Sequence, residues 1–288
     1  MIKDTTNKIV KKLKEQEKEE GSLPLLLEFY KKLAEVQAAA QKKIGAIEPT
    51  ISTVAIDQRM SQGQPLVRFE ELAIDWELIR ETFTKVISIF AQYPQLFADI
   101  PERLTAPKAG RLLTKKATRA WFEGKALPVT LAEGIGENLI QAIIQATLQP
   151  FLNKHALALI DKVKGDKWRR NYCPICGGSP DFAFFETEIG GRNLVCSRCD
   201  SEWAYQRLEC PYCSNKDQSL ITFSEDEKGI YRLHQCKNCQ CYLKTIDLRK
   251  ASGEILFPLE RIYTLHLDIQ AQEMGFHPYN QRQVQEDN

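Results

Sequence analysis

Between Ser22 and Lys43 the apolar residues Leu26, Phe29, Tyr30, Leu33, Val36 and Ala40 return every three or four positions, which lays them on one face of a helix. Ser22 is the expected N-cap, with Pro24 in the first turn where its missing N–H does no harm. A second helical pattern runs over 67–92, with Trp76, Ile79, Phe83, Val86, Ile87 and Phe90 on its inner face and Tyr93–Pro94 closing it. Residues 109–123 predict a shorter, basic helix containing Trp121. Residues 129–163 read as one long helix or two, with Pro150 forcing a kink or a restart. Residues 1–20 alternate acidic and basic side chains and are expected to be a frayed or disordered lead-in. These patterns describe the core of a helix bundle, and His155 within it is expected to be a surface or packed histidine.

The periodicity changes after 162–172, a stretch carrying Lys162, Lys164, Lys167, Arg169 and Arg170. Short strand-like runs follow at 182–187, 193–196, 202–209, 230–236 and 241–248. From 258 to 275 helical spacing returns, with Leu259, Ile262, Leu265 and Ile269 on one side and Gly275 as a C-cap. The expected fold is multidomain α+β. An all-α helical domain over 1–165 precedes tandem rubredoxin-like or zinc-ribbon β units over 166–249, and a C-terminal helix and tail occupy 250–288.

Charge and composition narrow the class. The 288 residues carry a formal net charge of +1, with 27% charged and 43% hydrophobic side chains, ordinary for a soluble globular chain and without the basic excess of a nucleic-acid binder. The N-terminal stretch lacks the apolar segment of a secretory signal, and no run approaches the roughly 18–20 apolar residues of a membrane span. The expectation is a soluble, cytoplasmic protein.

All nine cysteines fall between Cys173 and Cys241, and an odd number cannot pair fully as disulfides within one chain. Eight form four CxxC pairs: Cys173/Cys176, Cys196/Cys199, Cys210/Cys213 and Cys236/Cys239. A CxxC loop presents two thiolates to one ion, and two such loops close a tetrahedron. The gaps are 19 residues from first to second pair, 10 from second to third and 22 from third to fourth. A gap of about 15–20 residues leaves room for the hairpin that brings two loops face to face. Sequential pairing therefore predicts two four-cysteine sites, 173–199 and 210–239, each holding one tetrahedral zinc or iron ion; spacing alone does not choose the metal. First-with-third and second-with-fourth pairing is the alternative. Gly177 after the first knuckle can take positive φ and aim N–H groups at sulfur. Asp200, Ser214 and Gln240 follow the other three and turn less freely.

Cys241 is left over and is expected to be a small buried side chain, with ligand exchange against Cys239 as the sharper reading; His234 is a further candidate ligand. Trp203, Tyr205, Tyr212, Tyr231 and Tyr242 are expected to pack over the sites or, with Arg207, to form a docking face. Residues 167–249 hold 12 Lys/Arg and 11 Asp/Glu. Eight thiolates less two divalent ions bring that balance to about −3, against a phosphate-binding face.

The segments CPICGGSP (173–180), CSRCDSEWAYQRLECPYC (196–213) and CKNCQCYLKTID (236–247), with PLLLEFYKKLAEVQ (24–37) and LDIQAQEMGFHP (267–278), resemble the FdhE family of formate dehydrogenase accessory proteins. The resemblance implies a helical domain followed by tandem rubredoxin-like metal units. It implies a cytoplasmic assembly factor, not an enzyme, that binds the catalytic subunit of a respiratory formate dehydrogenase. The eight paired cysteines carry over, with Trp203, Arg207 and Tyr242 beside them. No nucleophile–base–orienter set and no Gly-rich phosphate loop stands out. Two rivals stay open from sequence: a zinc-ribbon protein acting on nucleic acid or the transcription machinery, and a thiol or iron redox enzyme.

Overall fold

The computed structural model describes residues 5–97, 99–163 and 167–279. The chain forms two compact units. Among the described residues, one combines 5–49 with 67–158 and the other combines Thr50–Leu66 with 159–279. The boundary expected near residue 165 falls on 164–166, outside the described residues.

The first unit is helical. The charged lead-in is not frayed over its described part: α1 (Thr6–Glu20) buries Ile9 and Leu13, one turn apart, and ends at Gly21 with φ +76°. Ion pairs Lys31–Glu17 at 2.6 Å and Lys14–Glu35 at 2.8 Å tie it to α2 (Leu25–Lys43). Helix α2 starts two residues later than a Ser22 cap would set it. A residue before proline is pushed out of the helical region, so Leu23 cannot open the helix and Pro24 takes the cap position instead. Helix α3 (Thr53–Gln62) comes next in the chain and is described with the second unit; the 67–92 pattern resolves into a 3₁₀ turn at Phe69–Glu71 and α4 (Trp76–Ala91). The Asp75 carboxylate caps α4, accepting from Glu77 N at 2.9 Å and Leu78 N at 3.0 Å, and this cap outweighs the apolar run before it. Short α5 (Glu102–Thr105), α6 (Lys115–Phe122) and α7 (Val129–Ala132) follow; Arg103 of α5 donates to the Thr130 and Leu131 carbonyls.

Helix α8 (Glu137–Leu159) runs through Pro150 without a restart. Proline has no N–H for the carbonyl four residues back, that of Ala146. Gln37 of α2 supplies the missing donor, its Nε2 lying 2.9 Å from Ala146 O. A second buried bridge, Gln41 Nε2 to Asn153 Oδ1 at 2.9 Å, joins the same helices. Phe29 anchors the aromatic core, its ring 5.0 Å from Phe90, 5.5 Å from Tyr93 and 4.7 Å from Phe97. His155 is packed: its Nε2 accepts from Ala73 N at 3.2 Å, and burial lowers its pKa to about 4.

The second unit carries the cysteines. Its strands are β1 (Pro180–Phe185), β2 (Arg192–Cys196), β3 (Glu202–Tyr205), β4 (Ile221–Glu225), β5 (Tyr231–Cys236) and β6 (Cys241–Asp247). Sequence periodicity located five of them; β4 was missed because its side chains are half-buried or exposed and alternate weakly. The order is β3-β2-β1-β6-β5-β4, antiparallel except where β1 pairs parallel with β6, Phe182 opposite Lys244 and Phe185 opposite Asp247. The tandem units therefore share one six-stranded sheet. Helices α9 (Phe257–Tyr263) and α10 (Leu265–Glu273) cover one face: Leu267, Ala271 and Phe276 pack on Leu233 and Tyr242, and Phe257 stacks on Phe184 at 4.9 Å. Helix α3 (Thr53–Gln62) and the turn after it also belong to this unit. Leu66 N donates to Pro174 O at 2.8 Å, and Tyr172 Oη donates to Gly63 O at 2.6 Å.

Candidate metal centre

Each CxxC pair occupies the same local turn, and each turn is set by its own backbone. In the first, Gly177 N donates to Cys173 O at 3.0 Å and Cys173 N to Gly178 O at 2.8 Å. The second and third repeat this, with Asp200 N to Cys196 O at 3.3 Å and Ser214 N to Cys210 O at 2.9 Å. Closing the turn requires positive φ at the residue after the second cysteine: +73° at Gly177, and +59°, +56° and +56° at Asp200, Ser214 and Gln240. Three side-chain-bearing residues thus accept a conformation that costs roughly 1–2 kcal/mol each. The turns also direct amides at sulfur, with Ile175 N 3.3 Å from Cys173 Sγ and Arg198 N 3.4 Å from Cys196 Sγ.

The sheet brings the turns together in sequential pairs. One knuckle precedes β1 and faces the knuckle joining β2 to β3; another precedes β4 and faces the one joining β5 to β6. Cys173, Cys176, Cys196 and Cys199 form one group of sulfurs within 4.8 Å of one another, and Cys210, Cys213, Cys236 and Cys239 form the other. The crossed pairing is not what the strands build. Cys173 and Cys199 Sγ are 3.6 Å apart, and Cys176 lies 3.5 Å from both Cys196 and Cys199. In the second group the Cys210–Cys239 and Cys213–Cys236 separations are both 3.7 Å. A zinc ion with sulfurs at about 2.3 Å sets neighbouring sulfurs about 3.8 Å apart in a tetrahedron. Both groups fit a tetrahedral thiophilic ion.

Electrostatics favours the same occupant. Burial pushes the Cys173 and Cys199 thiols well above the ordinary cysteine range, whereas hydrogen bonding from Cys173 holds Cys176 well below it. Burial lifts Cys236 to about 11. Burial also works against the Cys213 thiolate, but hydrogen bonds from Asn238 and the Asn215 backbone bring it down to about 7. Enclosed sulfurs cannot all carry charge unaided, and a dication at the centre of each group removes the conflict.

The other candidates fall outside the four-sulfur groups. Cys241 is buried on β6, its Sγ 3.4 Å from Cys239 O. His234 lies between the rings of Phe185 and Phe223; its buried Nε2 has no hydrogen-bond partner, and burial with the guanidiniums of Arg192, Arg232 and Arg207 lowers its pKa to about 3. The aromatics chiefly pack. Trp203 Nε1 donates to Arg170 O at 2.8 Å, Tyr205 Oη to Glu209 at 2.7 Å, Tyr212 Oη to Pro180 O at 3.1 Å and Tyr242 Oη to Asp268 at 2.7 Å. Arg207 is exposed above the Phe185 ring at 4.9 Å, beside exposed Leu208.

Sequence reasoning missed the residues that clamp the knuckles. Arg261 of α9 donates to Asp200 at 2.6 Å, twice to Asp181 at 3.0 and 2.8 Å, and to Cys196 O at 2.9 Å. Arg192 is buried, its pKa lowered by burial to about 10, and its guanidinium donates to the carbonyls of Gln206 and Glu209, pinning the segment that joins the two sites. Ser201 Oγ lies 3.1 Å from Cys199 Sγ, and Asn238 Nδ2 donates to Cys213 Sγ at 3.4 Å. Ser201 and Asn238 stand beside the knuckles and were within reach; Arg261 had no signal in its own helical pattern.

Two known proteins resemble this chain over most of its length and a third over part of it. It is 30% identical over 259 residues to a protein named FdhE homolog from Aquifex aeolicus (strain VF5), covering 87% of this chain and 85% of that one. An FdhE homolog from Edwardsiella ictaluri (strain 93-146) is 33% identical over 112 residues, covering 38% of this chain and 35% of that one. Among solved structures, the crystal structure of the FdhE protein from Pseudomonas aeruginosa superposes with a TM-score of 0.58 at 23% identity over 96% of this chain and 92% of that one, a likeness of fold. No family model matches the chain.

Proposed function

This chain belongs to the FdhE family, and on that premise we propose that it is a cytoplasmic accessory factor for a respiratory formate dehydrogenase. It binds the catalytic subunit during maturation and carries two metal ions, zinc or iron, one on Cys173, Cys176, Cys196 and Cys199 and one on Cys210, Cys213, Cys236 and Cys239. The observation that carries this reading is the closure of the two four-sulfur groups. Four protein thiolates complete a tetrahedron and leave no open position for substrate, the mark of a structural site rather than a catalytic one. Two such sites in one sheet make a rigid body with Arg207 and Leu208 exposed between them in sequence, a surface suited to docking. No helix among the described residues is long and apolar enough to cross a membrane.

The test is genetic and biochemical together. Deleting the gene from its host is expected to abolish formate dehydrogenase activity while leaving the catalytic polypeptide present, and the purified full chain is expected to retain that subunit on an affinity column. Full enzyme activity in the deletion strain overturns the proposal. Elemental analysis of protein purified without oxygen is expected to give about two metal ions per chain. Salt-dependent retention on immobilised DNA, without retention of the subunit, would transfer the sites to the nucleic-acid reading.

A further inference from the structure

The two four-sulfur groups are copies in backbone but not in surroundings. In the first, all four cysteines are enclosed, with exposures of 0, 3, 0 and 0% along the chain. A Cβ added at Gly178 would sit 3.1 Å from Cys196 Sγ and 2.9 Å from the Arg198 side chain, so backbone and arginine stem wall this site closely. Ser201 adds a hydroxyl 3.1 Å from Cys199 Sγ, and Arg261 grips Asp200 and the Cys196 carbonyl.

In the second group Cys210, Cys236 and Cys239 are enclosed as well, at 4, 3 and 7%, and the departure is at the remaining ligand. Cys213 is partly exposed, and the exposed Asn238 amide is hydrogen-bonded to its sulfur. The place that Ser201 fills, two residues after the last ligand, is taken by Cys241. A thiol is a weaker donor than a hydroxyl, and Cys241 Sγ lies 3.4 Å from Cys239 O. A cavity of about 20 Å³ borders Cys210, Cys236 and Cys241; one water needs roughly 10–15 Å³ of such space.

We propose that the two sites are unequal, and that the second, entered at Cys213, is where this protein reacts with thiol-directed electrophiles and exchanges its metal. The inference rests on the two-metal reading above. The step is a ligand loss. The Cys213 sulfur lone pair that held the metal forms an S–C bond to a maleimide, whose C=C electrons take up a proton from water. The metal, left with three thiolates, passes to a chelator. The first site offers no sulfur to the same approach until its walls open.

The experiment uses the full chain loaded with zinc, counted by elemental analysis at the outset, then treated with limiting N-ethylmaleimide in the presence of a zinc-binding dye. The expected result is one zinc released in a fast phase and one in a phase about tenfold or more slower. Peptide mapping at the end of the fast phase is expected to find the label on Cys213, with Cys173–Cys199 unmodified. Cys213→Ser is expected to lose the fast labelling and keep the first site's zinc. Two zinc ions present at the outset but lost at one rate, or a first label on Cys173, Cys176, Cys196 or Cys199, overturns the inequality and leaves the two-metal reading standing. Fewer than two zinc ions at the outset overturns both.

Discussion

Replacing Arg261 by methionine removes one guanidinium and strands several partners. Its four hydrogen bonds reach two carboxylates and a carbonyl within the first site: Asp181 at 3.0 and 2.8 Å, Asp200 at 2.6 Å and Cys196 O at 2.9 Å. The Arg261 side chain is 19% exposed, Asp200 11% and Asp181 38%. Removing one partner of a buried ion pair costs about 3–5 kcal/mol because the other charge stays enclosed. Asp181 can rehydrate, so its share is discounted and the expected loss is about 2–4 kcal/mol. Met keeps the stem length, so packing against the sheet changes little. The assay is amide hydrogen exchange of the metal-loaded chain, which reads the cysteine-bearing unit separately from the helical one. Amides of β1, β2 and the Cys196–Cys199 knuckle are expected to lose that protection, with those of α2, α4 and α8 unchanged. Arg261→Lys, a point charge that cannot span both carboxylates, is expected to recover less than half of the loss. Protection within about 0.5 kcal/mol of wild type in the knuckle, the noise expected of a surface substitution, would refute the claim that Arg261 clamps the first site.

Two further predictions follow from the backbone and the buried histidine. Gly177→Ala places a Cβ at φ +73° and 3.0 Å from Pro65 Cγ, so it is expected to destabilise the first site by about 1–2 kcal/mol; Gln240→Gly relieves φ +56° at the second site and is expected to stabilise it by about 0.5–1 kcal/mol. Urea titration of the metal-loaded proteins should show shifts of opposite sign, and shifts of the same sign would count against the shared turn. His155 has a folded pKa of about 4, below the ordinary 6.5, because burial favours the neutral ring. As pH falls through 6.5 the unfolded chain takes up the proton first, so stability present above that pH is lost on the way to pH 4, by about 3 kcal/mol at most. Unfolding of the helical unit, followed from pH 7.5 to 4, should be less pH-sensitive in His155→Gln; equal slopes would remove this histidine from the account.

Much of the site was legible in the cysteine spacing, and the reason is locality. A CxxC turn is a few residues long, so ligands, closing residue and sulfur-directed amides all lie in one short string. The hairpins between knuckles are also local, which is why sequential pairing could be preferred before any strand was placed. Helix patterns were legible as elements but not at their ends: Leu23 before Pro24 and the cap at Asp75 each moved a start, and of the kink or restart expected at Pro150 the restart does not occur. The proline's orphaned carbonyl partner, Ala146, is served by Gln37, a residue 109 positions away.

What the sequence by itself determined is the class of chemistry: eight thiols in four matched turns, and two apolar periodicities that separate a helical part from a strand-rich one. What only the tertiary structure decided depends on contacts distant in sequence. The parallel pairing of β1 with β6 joins strands some sixty residues apart and fuses two small units into one sheet. Helix α3 clusters with the cysteine unit through a backbone bond from Leu66 to Pro174. Arg261 reaches the Cys196–Cys199 knuckle of the first site from about sixty residues further along the chain, and the second site has no equivalent clamp among the described residues. Spacing makes the two sites look alike; the packing around them makes them different, because burial is a property of neighbours and not of the motif.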